Sequence, residues 1–306
     1  MKKISRRSFV KSSSVALAGI MYNGNTPTLN AAGYQISFST LGCPKWTFPE
    51  IVNFASKNGY NGIEIRGILG EMDLTKVPEF SNDQIAATMR MMEDKKLRFV
   101  DLGSSAEMHH TDPTERQNNI DQAKKFIDLA QKLNCPYIRV FPNKLPKEDK
   151  ERKETMDLIS KNLMELANYA KATNVTVLME THGDAVVTND LLTIMHQAEN
   201  PHAGLVWDIC NMWTITKEPP SMVYDKLKKY IRHTHVKDVK ITPDGQIHYV
   251  LLGTGEAPLA EAIGALRKGN YNGFYSFEWE KLWHPEIAEP EIAIAAFPEA
   301  IKKYFN

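Results

Sequence analysis

The sequence predicts an α/β protein built as one closed (β/α)₈ TIM barrel, a single domain of eight parallel strands alternating with helices. Eight short runs rich in Val, Ile, Phe and Tyr alternate with segments of helical periodicity. No Ser/Gly/Pro-rich linker divides residues 33–306, and about 250 residues commonly form one such barrel. An open doubly wound sheet is the alternative, but no glycine fingerprint of a dinucleotide site follows a strand.

The strand-like runs are short and bounded by Gly, Pro or Asn, as expected of buried parallel strands. They lie at residues 35–40, 62–66, 98–102, 137–141, 175–180, 204–208, 231–236 and 273–278. Helical patterns lie at 48–57, 83–95, 120–130, 159–170, 188–197, 221–230, 260–267 and 290–304. This alternation of strand and helix predicts the order of elements in the barrel.

The first 32 residues resemble a cleavable twin-arginine (Tat) export signal. Residues 5–11 read SRRSFVK, an apolar stretch follows at 15–21, and a polar segment ends at Ala31-Ala32. We therefore expect the Tat export machinery to be a partner and the mature barrel, residues 33–306, to be periplasmic. The apolar stretch is too short to be a membrane anchor, because a spanning helix needs about 20 apolar residues. A frayed basic N-terminus is the alternative interpretation.

Composition and charge exclude several classes of protein. The 306 residues include 37 Lys+Arg and 37 Asp+Glu, and 42% of them are hydrophobic, which is ordinary for a globular enzyme. Residues 1–33 contain five basic residues and no acid, so the rest of the chain is weakly acidic. A nucleic-acid-binding protein needs a basic face, and none is expected here. Three cysteines are too few for a disulfide scaffold.

Ionisable side chains end the last four predicted barrel strands. Glu180, Asp208, His235 and Glu278 each close an apolar run. Side chains alternate between the two faces of a strand, and active sites of this fold lie at the carboxyl ends of the strands. If these four side chains point inward, they converge at the mouth of the barrel. The alternative is that each is an unrelated residue of a surface loop.

Three carboxylates and one imidazole suit one divalent metal ion, Mn²⁺, Co²⁺, Mg²⁺ or Zn²⁺. Without a cation, three crowded carboxylates would repel one another and raise one another's pKa. The four residues are therefore predicted to be the ligands of a metal.

Five motifs resemble the xylose isomerase-like TIM-barrel superfamily, in particular its sugar phosphate isomerase/epimerase branch. They are ETH at 180–182, WDxxN at 207–211, HxHxKD at 233–238, GTGE at 253–256 and EWE at 278–280. The resemblance extends over residues 34–306. It implies that Glu180, Asp208, His235 and Glu278 bind the metal, and that Glu180 and Glu278 also move protons and are the catalytic residues.

The resemblance and the ligand chemistry together predict a sugar isomerase or epimerase. A metal ion that polarises a ketose carbonyl makes the neighbouring C–H acidic and stabilises the resulting enediolate. Loss of a leaving group from the same enediolate would give a lyase or hydratase acting on a 3-keto sugar or 3-keto glycoside. Two other classes are disfavoured: a metal-dependent DNA hydrolase, which needs more histidines and a basic groove, and a non-catalytic periplasmic sugar-binding protein.

The substrate is predicted to be a small, unphosphorylated sugar, because phosphorylated intermediates are cytoplasmic and no phosphate-binding motif is present. The candidate substrate-binding residues are His182, Asn211, Lys237, Arg66, Arg139 and Trp283. Each has a structural alternative, such as a cap, an ion pair or a packed loop. The sequence leaves the identity of the sugar open, and it leaves a homo-oligomer open as well.

Overall fold

Eight parallel strands close into a barrel in the computed structural model, which describes residues 33–306. The barrel strands are β1 (Gln35–Ser39), β2 (Gly62–Ile65), β3 (Arg98–Glu107), β4 (Tyr137–Phe141), β5 (Thr176–Glu180), β6 (Ala203–Asp208), β7 (Ile231–Val236) and β10 (Phe274–Phe277). Each pairs with its sequence neighbours in the barrel, and β10 pairs with β1 to close it. The predicted fold class is confirmed. The predicted signal at residues 1–32 lies outside the described residues.

Nine α-helices of residues 33–306 surround or cap the barrel. They are α1 (Phe48–Lys57), α2 (Ile85–Asp94), α3 (Pro113–Lys132), α4 (Asp149–Ala170), α5 (Thr188–Gln197), α6 (Ile209–Thr216), α7 (Pro220–Leu227), α8 (Leu259–Lys268) and α9 (Pro290–Ala300). Local sequence sets several of their starts. Thr47 and Glu50 form a capping box at α1, and Asp112 caps α3 with Pro113 at its first position. None of these helices is both long and apolar enough to cross a bilayer.

The strands alternate between an apolar outer face and a polar inner face. Phe277 packs on Phe297 of α9 with ring centroids 4.6 Å apart, while the adjacent Ser276 donates to Glu64 across the barrel at 2.9 Å. Trp207 likewise stacks on Tyr224 of α7 at 6.1 Å. The period of two therefore directs aromatic residues to the helices and ionisable residues to the interior.

Two elements were not predicted from the sequence. A short antiparallel hairpin, β8 (Asp238–Ile241) and β9 (Ile247–Val250), follows β7 directly. Helix α6 starts immediately after Asp208, before the predicted helix at 221–230, which the structure places at Pro220–Leu227. Both are insertions between a barrel strand and its outer helix, so a simple alternation of one strand with one helix does not predict them. The predicted helix at 290–304 also ends early, at Ala300, and continues as a 3₁₀ turn.

Asp238 organises the loop between the hairpin and α8. Its Oδ2 accepts from the N–H of Gly253 at 2.8 Å and of Gly255 at 2.9 Å, and its Oδ1 accepts from Ala257 at 3.1 Å. A Cβ on Gly255 would lie 2.2 Å from Oδ1 of Asp238, so only glycine allows this close approach. The carboxylate thus holds the turn that leads back into the barrel.

Replacing Asp238 with Ala should lower the free energy of unfolding by about 3 kcal/mol, because several backbone N–H groups lose a charged acceptor. Asp238→Asn keeps one acceptor oxygen and should cost roughly half as much. Urea unfolding measured by circular dichroism would test this order. Equal stabilities of the wild type and the Ala variant would contradict the role assigned to this carboxylate.

Candidate active site

Four predicted ligands come together at the carboxyl ends of β5, β6, β7 and β10. Nδ1 of His235 lies 3.5 Å from Oε1 of Glu180, 3.8 Å from Oδ2 of Asp208 and 3.3 Å from Oε1 of Glu278. All four side chains are buried. Residues separated by almost 100 positions in the chain thus present one nitrogen and three carboxylates to a common point.

These distances fit a divalent ion. Ligand atoms about 2.0–2.1 Å from a tetrahedral ion lie about 3.4 Å from one another. His235 Nδ1 is buried and has no hydrogen-bond partner, so a metal ion that displaces its proton would find this nitrogen free of other contacts. Oδ1 of Asp208 accepts from the Asn211 N–H at 2.8 Å and caps α6, which leaves Oδ2 to face His235. The donor set and its orphaned ring nitrogen therefore suit a metal.

Glu64 on β2 orients His235 by contacting Nε2, the ring nitrogen that faces away from the other three ligands. Nε2 of His235 lies 3.1 Å from both Glu64 carboxylate oxygens, and His233 Nε2 and Ser276 Oγ each lie 2.9 Å from Oε2. When Nε2–H donates to Glu64, the Nδ1 lone pair points to the other three ligands. Metal-binding histidines are commonly held by a carboxylate in this way. His233 faces Glu64 rather than the common point, which agrees with the choice of His235.

The contact between Glu64 and His235 could not be predicted from the sequence. The sequence signal of Glu64 was an acid inside the apolar run GIEI of β2. Its partner lies 171 positions away in the sequence, so only the closure of the barrel reveals the contact.

Each of the two glutamates is paired with a different buried cation. Nε of Arg139 lies 3.1 Å from Oε2 of Glu180. Nζ of Lys237 lies 2.6 Å from Oε2 of Glu278, 2.8 Å from Oδ2 of Asp208 and 2.5 Å from Oε1 of Glu280. Glu180 is therefore paired with the guanidinium of Arg139, and Glu278 with the ammonium of Lys237.

The charges of the site stabilise one another. Burial raises the pKa of Glu278, but His235 and Lys237 outweigh it and hold this pKa well below its usual range. Burial raises the pKa of Glu180, and Arg139 counters it, so that this pKa is lowered. For Lys237, burial lowers the pKa, whereas the carboxylates of Asp208 and Glu278 raise it well above its usual value. The two glutamates are thus kept as carboxylates, the form that can accept a proton.

Three other candidate substrate-binding residues follow barrel strands that carry the four ligands: His182 follows β5, Asn211 follows β6 and Trp283 follows β10. The ring of His182 lies 4.6 Å from that of Phe141, and its Nδ1 lies 2.8 Å from Oδ1 of Asn143. Asn211 is half-buried in the first turn of α6. Trp283 is 56% exposed in the loop after β10. Contact with a substrate stays a prediction for all three.

The structure adds a buried acid that sequence analysis missed. Asp101 on β3 is fully buried, and neither of its carboxylate oxygens has a hydrogen-bond partner. Burial and the nearby Glu64 raise the pKa of Asp101 well above its usual value. Its only sequence signal was an acid within the apolar run FVDL.

Most of the barrel, from α1 onward, matches a known family by sequence. The family model described as xylose isomerase-like TIM barrel matches residues 52–300. The chain belongs to this family. The resemblance inferred from the five motifs is thereby confirmed.

Relatives of this xylose isomerase-like barrel include enzymes. A 3-dehydroshikimate dehydratase of Bacillus anthracis is 23% identical over 232 residues, which cover 71% of this chain and 78% of the relative. Among solved structures, the IolI protein with a bound zinc atom superposes with a TM-score of 0.72 at 17% identity, covering 89% of this chain and 98% of the other. A D-tagatose 3-epimerase-like protein gives 0.70 at 17% identity, with 88% and 96% covered. These structural likenesses show the shared fold.

If the xylose isomerase-like barrel holds a metal at the four ligands, removing it should lower thermal stability. An ion at about 100 times its dissociation constant stabilises the folded state by roughly 2.7 kcal/mol. Exhaustive chelation should therefore lower Tm by about 5–10 °C, and added Mn²⁺ or Co²⁺ should restore it. Differential scanning calorimetry would measure the change. A Tm that is unaffected by chelation in protein shown by elemental analysis to start with metal would contradict this expectation.

Proposed function

We propose that the chain is a divalent-metal-dependent enzyme that transfers a proton next to the carbonyl of a keto-sugar, and thereby epimerises or isomerises it. The observation that carries the proposal is the convergence of Glu180, Asp208, His235 and Glu278 on one point, with each glutamate paired to a separate cation. A protein that only binds sugar has no need of two buried glutamates held as bases.

A divalent ion at this centre would polarise the substrate carbonyl and lower the pKa of the adjacent C–H. Glu180 would accept that proton, because its ion pair with Arg139 keeps it ionised and fixes its position. Glu278, which Lys237 holds in place at 2.6 Å, would serve as the second proton carrier: it would take up a proton from solvent and deliver it to the substrate from its own side of the site. His235, held by Glu64, and Asp208, held by the start of α6, keep the site rigid.

A second candidate reaction is elimination of water or an alcohol, as in a lyase or hydratase on a 3-keto sugar or 3-keto glycoside. The Bacillus anthracis relative is named a dehydratase, which supports this reaction. Both reactions begin with the same proton abstraction by Glu180.

Proton exchange tests what the two reactions share. The metal-loaded protein would be incubated in D₂O with ketoses, 3-keto glycosides and 3-dehydroshikimate, and followed by NMR. We expect solvent deuterium to enter the carbon next to the carbonyl, with a new epimer, an isomer or an unsaturated product. If no compound exchanges or turns over with Mn²⁺ or Co²⁺ present, the proposed function is wrong.

We further propose that the barrel works in the periplasm on an unphosphorylated substrate. The SRRSFVK pattern and Ala31-Ala32 support export, as argued above. Changing both Arg6 and Arg7 to Lys should leave the uncleaved protein in the cytoplasmic fraction, whereas the unchanged chain should appear shortened in the periplasm. Immunoblots of cell fractions would show this. If the variant and the unchanged protein are exported equally, residues 1–32 are not a twin-arginine signal.

A further inference from the structure

Arg66 is a buried cation at the mouth of the barrel. It follows the last residue of β2 and is 6% exposed. Its side chain crosses β3 at Gly103, beside that of Arg139. A Cβ on Gly103 would lie 2.8 Å from Cδ of Arg66 and 3.0 Å from Nη2 of Arg139. The glycine therefore makes room for two neighbouring guanidinium side chains.

Only one of these arginines has a counter-ion. Arg139 pairs with Glu180 at 3.1 Å, whereas within residues 33–306 no carboxylate lies at ion-pair distance from Arg66. The side-chain partners of Arg66 are neutral: Nη2 donates to Ser105 Oγ at 3.0 Å, and Nη1 donates to the Gly103 carbonyl at 3.4 Å. Buried charges in proteins are normally paired, so this cation lacks a partner.

The guanidinium remains charged under physiological conditions. Burial and the neighbouring Arg139 lower the pKa of Arg66 to about 9, which still leaves the protonated form dominant at pH 7. Glu180, Glu278 and Glu64 act on Arg66 from a longer range than an ion pair, which places its charge within the field of the proposed metal centre.

We infer that Arg66 binds a carboxylate of the substrate, so that the enzyme acts on a keto acid, such as a keto-uronic acid or a cyclic keto acid. The inference rests on the proposed function and specifies its substrate class. A carboxylate would supply the missing counter-ion and match the planar fork of one guanidinium. A phosphate dianion would call for further cations, but Arg139 is already paired with Glu180 and Lys237 with three carboxylates.

The test compares matched acid and neutral substrates. The pairs are 3-dehydroshikimate with its methyl ester, and a 3-keto-hexuronate with the corresponding 3-keto-hexose; a ketose phosphate is included. The kcat/KM of the wild type should favour the acid in each pair by roughly 30- to 100-fold, mainly through KM. In Arg66→Met this preference should disappear, because the acid loses its counter-ion whereas the neutral analogue has none to lose. Arg66→Lys keeps the positive charge but not the planar guanidinium, so it should retain part of the preference for the acid.

Arg98→Met provides a matched control, because Arg98 is a half-buried arginine that donates to Gln35 rather than facing the mouth. It should leave the acid preference intact. A preference unchanged in Arg66→Met, or one for the ketose phosphate that depends on Arg66, would overturn the carboxylate assignment.

A binding measurement separates this inference from the proposed function. Benzoate should raise the Tm of the wild type more than benzamide does, and this difference should be lost in Arg66→Met but kept in Arg98→Met. If no substrate reacts yet benzoate binding depends on Arg66, the proposed function fails and the carboxylate site stands. If benzoate and benzamide act alike, the carboxylate site is wrong whatever the catalytic result.

Discussion

Glu180→Gln and Glu278→Gln should each lower kcat by about 10³-fold or more while the protein stays folded. Each substitution removes a carboxylate that is both a proposed metal ligand and a proposed proton carrier, and loss of a positioned acid or base alone costs about 10²–10⁴-fold. Deuterium incorporation into the substrate, measured by NMR at saturating Mn²⁺, would give the rates. Circular dichroism would show that the barrel is retained.

Glu165→Gln is a suitable control for these variants. Glu165 lies on the outer helix α4, where it pairs with Lys124 at 2.8 Å and is half exposed. It should leave both the rate and the fold unchanged. Wild-type turnover by both the Glu180 and the Glu278 variants would remove these two residues from the mechanism.

Glu64→Gln should weaken metal binding by about 10- to 100-fold, the usual effect of losing the carboxylate behind a metal-binding histidine. The neutral amide can no longer offer two negative oxygens to His233 and His235, so His235 loses the contact that orients Nδ1. Isothermal titration of the metal-free protein with Mn²⁺ or Co²⁺ would measure the affinity. Activity at saturating metal should fall far less than in the Glu180 variant.

Ser276→Ala is a control for Glu64→Gln, because it changes the surroundings of Glu64 without removing the carboxylate that orients His235. It removes one neutral donor to Glu64 but leaves the bonds of the two histidines. Its metal affinity should fall by only a few-fold. If the Glu64 and Ser276 variants bind metal as tightly as the wild type, Glu64 does not act through His235.

Much of the proposed centre could be predicted from the sequence, because each of its members ends an apolar strand. Glu180, Asp208, His235 and Glu278 each follow a run whose length and alternation mark a buried strand, and parallel strands in a barrel end at one rim. The position of Glu64 on its strand was also readable, but its partners were not, since they lie on β7 and β10, far from it in the sequence.

Local sequence determined the eight barrel strands, most of the outer helices, the barrel class and the four candidate ligands, because alternation and periodicity act over a few residues. Only the tertiary structure decided that Glu64 orients His235, that Arg139 pairs with Glu180 and Lys237 with Glu278, and that Arg66 is left without a counter-ion. These pairings depend on strand register and on the closure of β10 against β1. Charged side chains that are far apart in the chain come into contact only when the barrel has closed. Which charges are paired therefore depends on the fold.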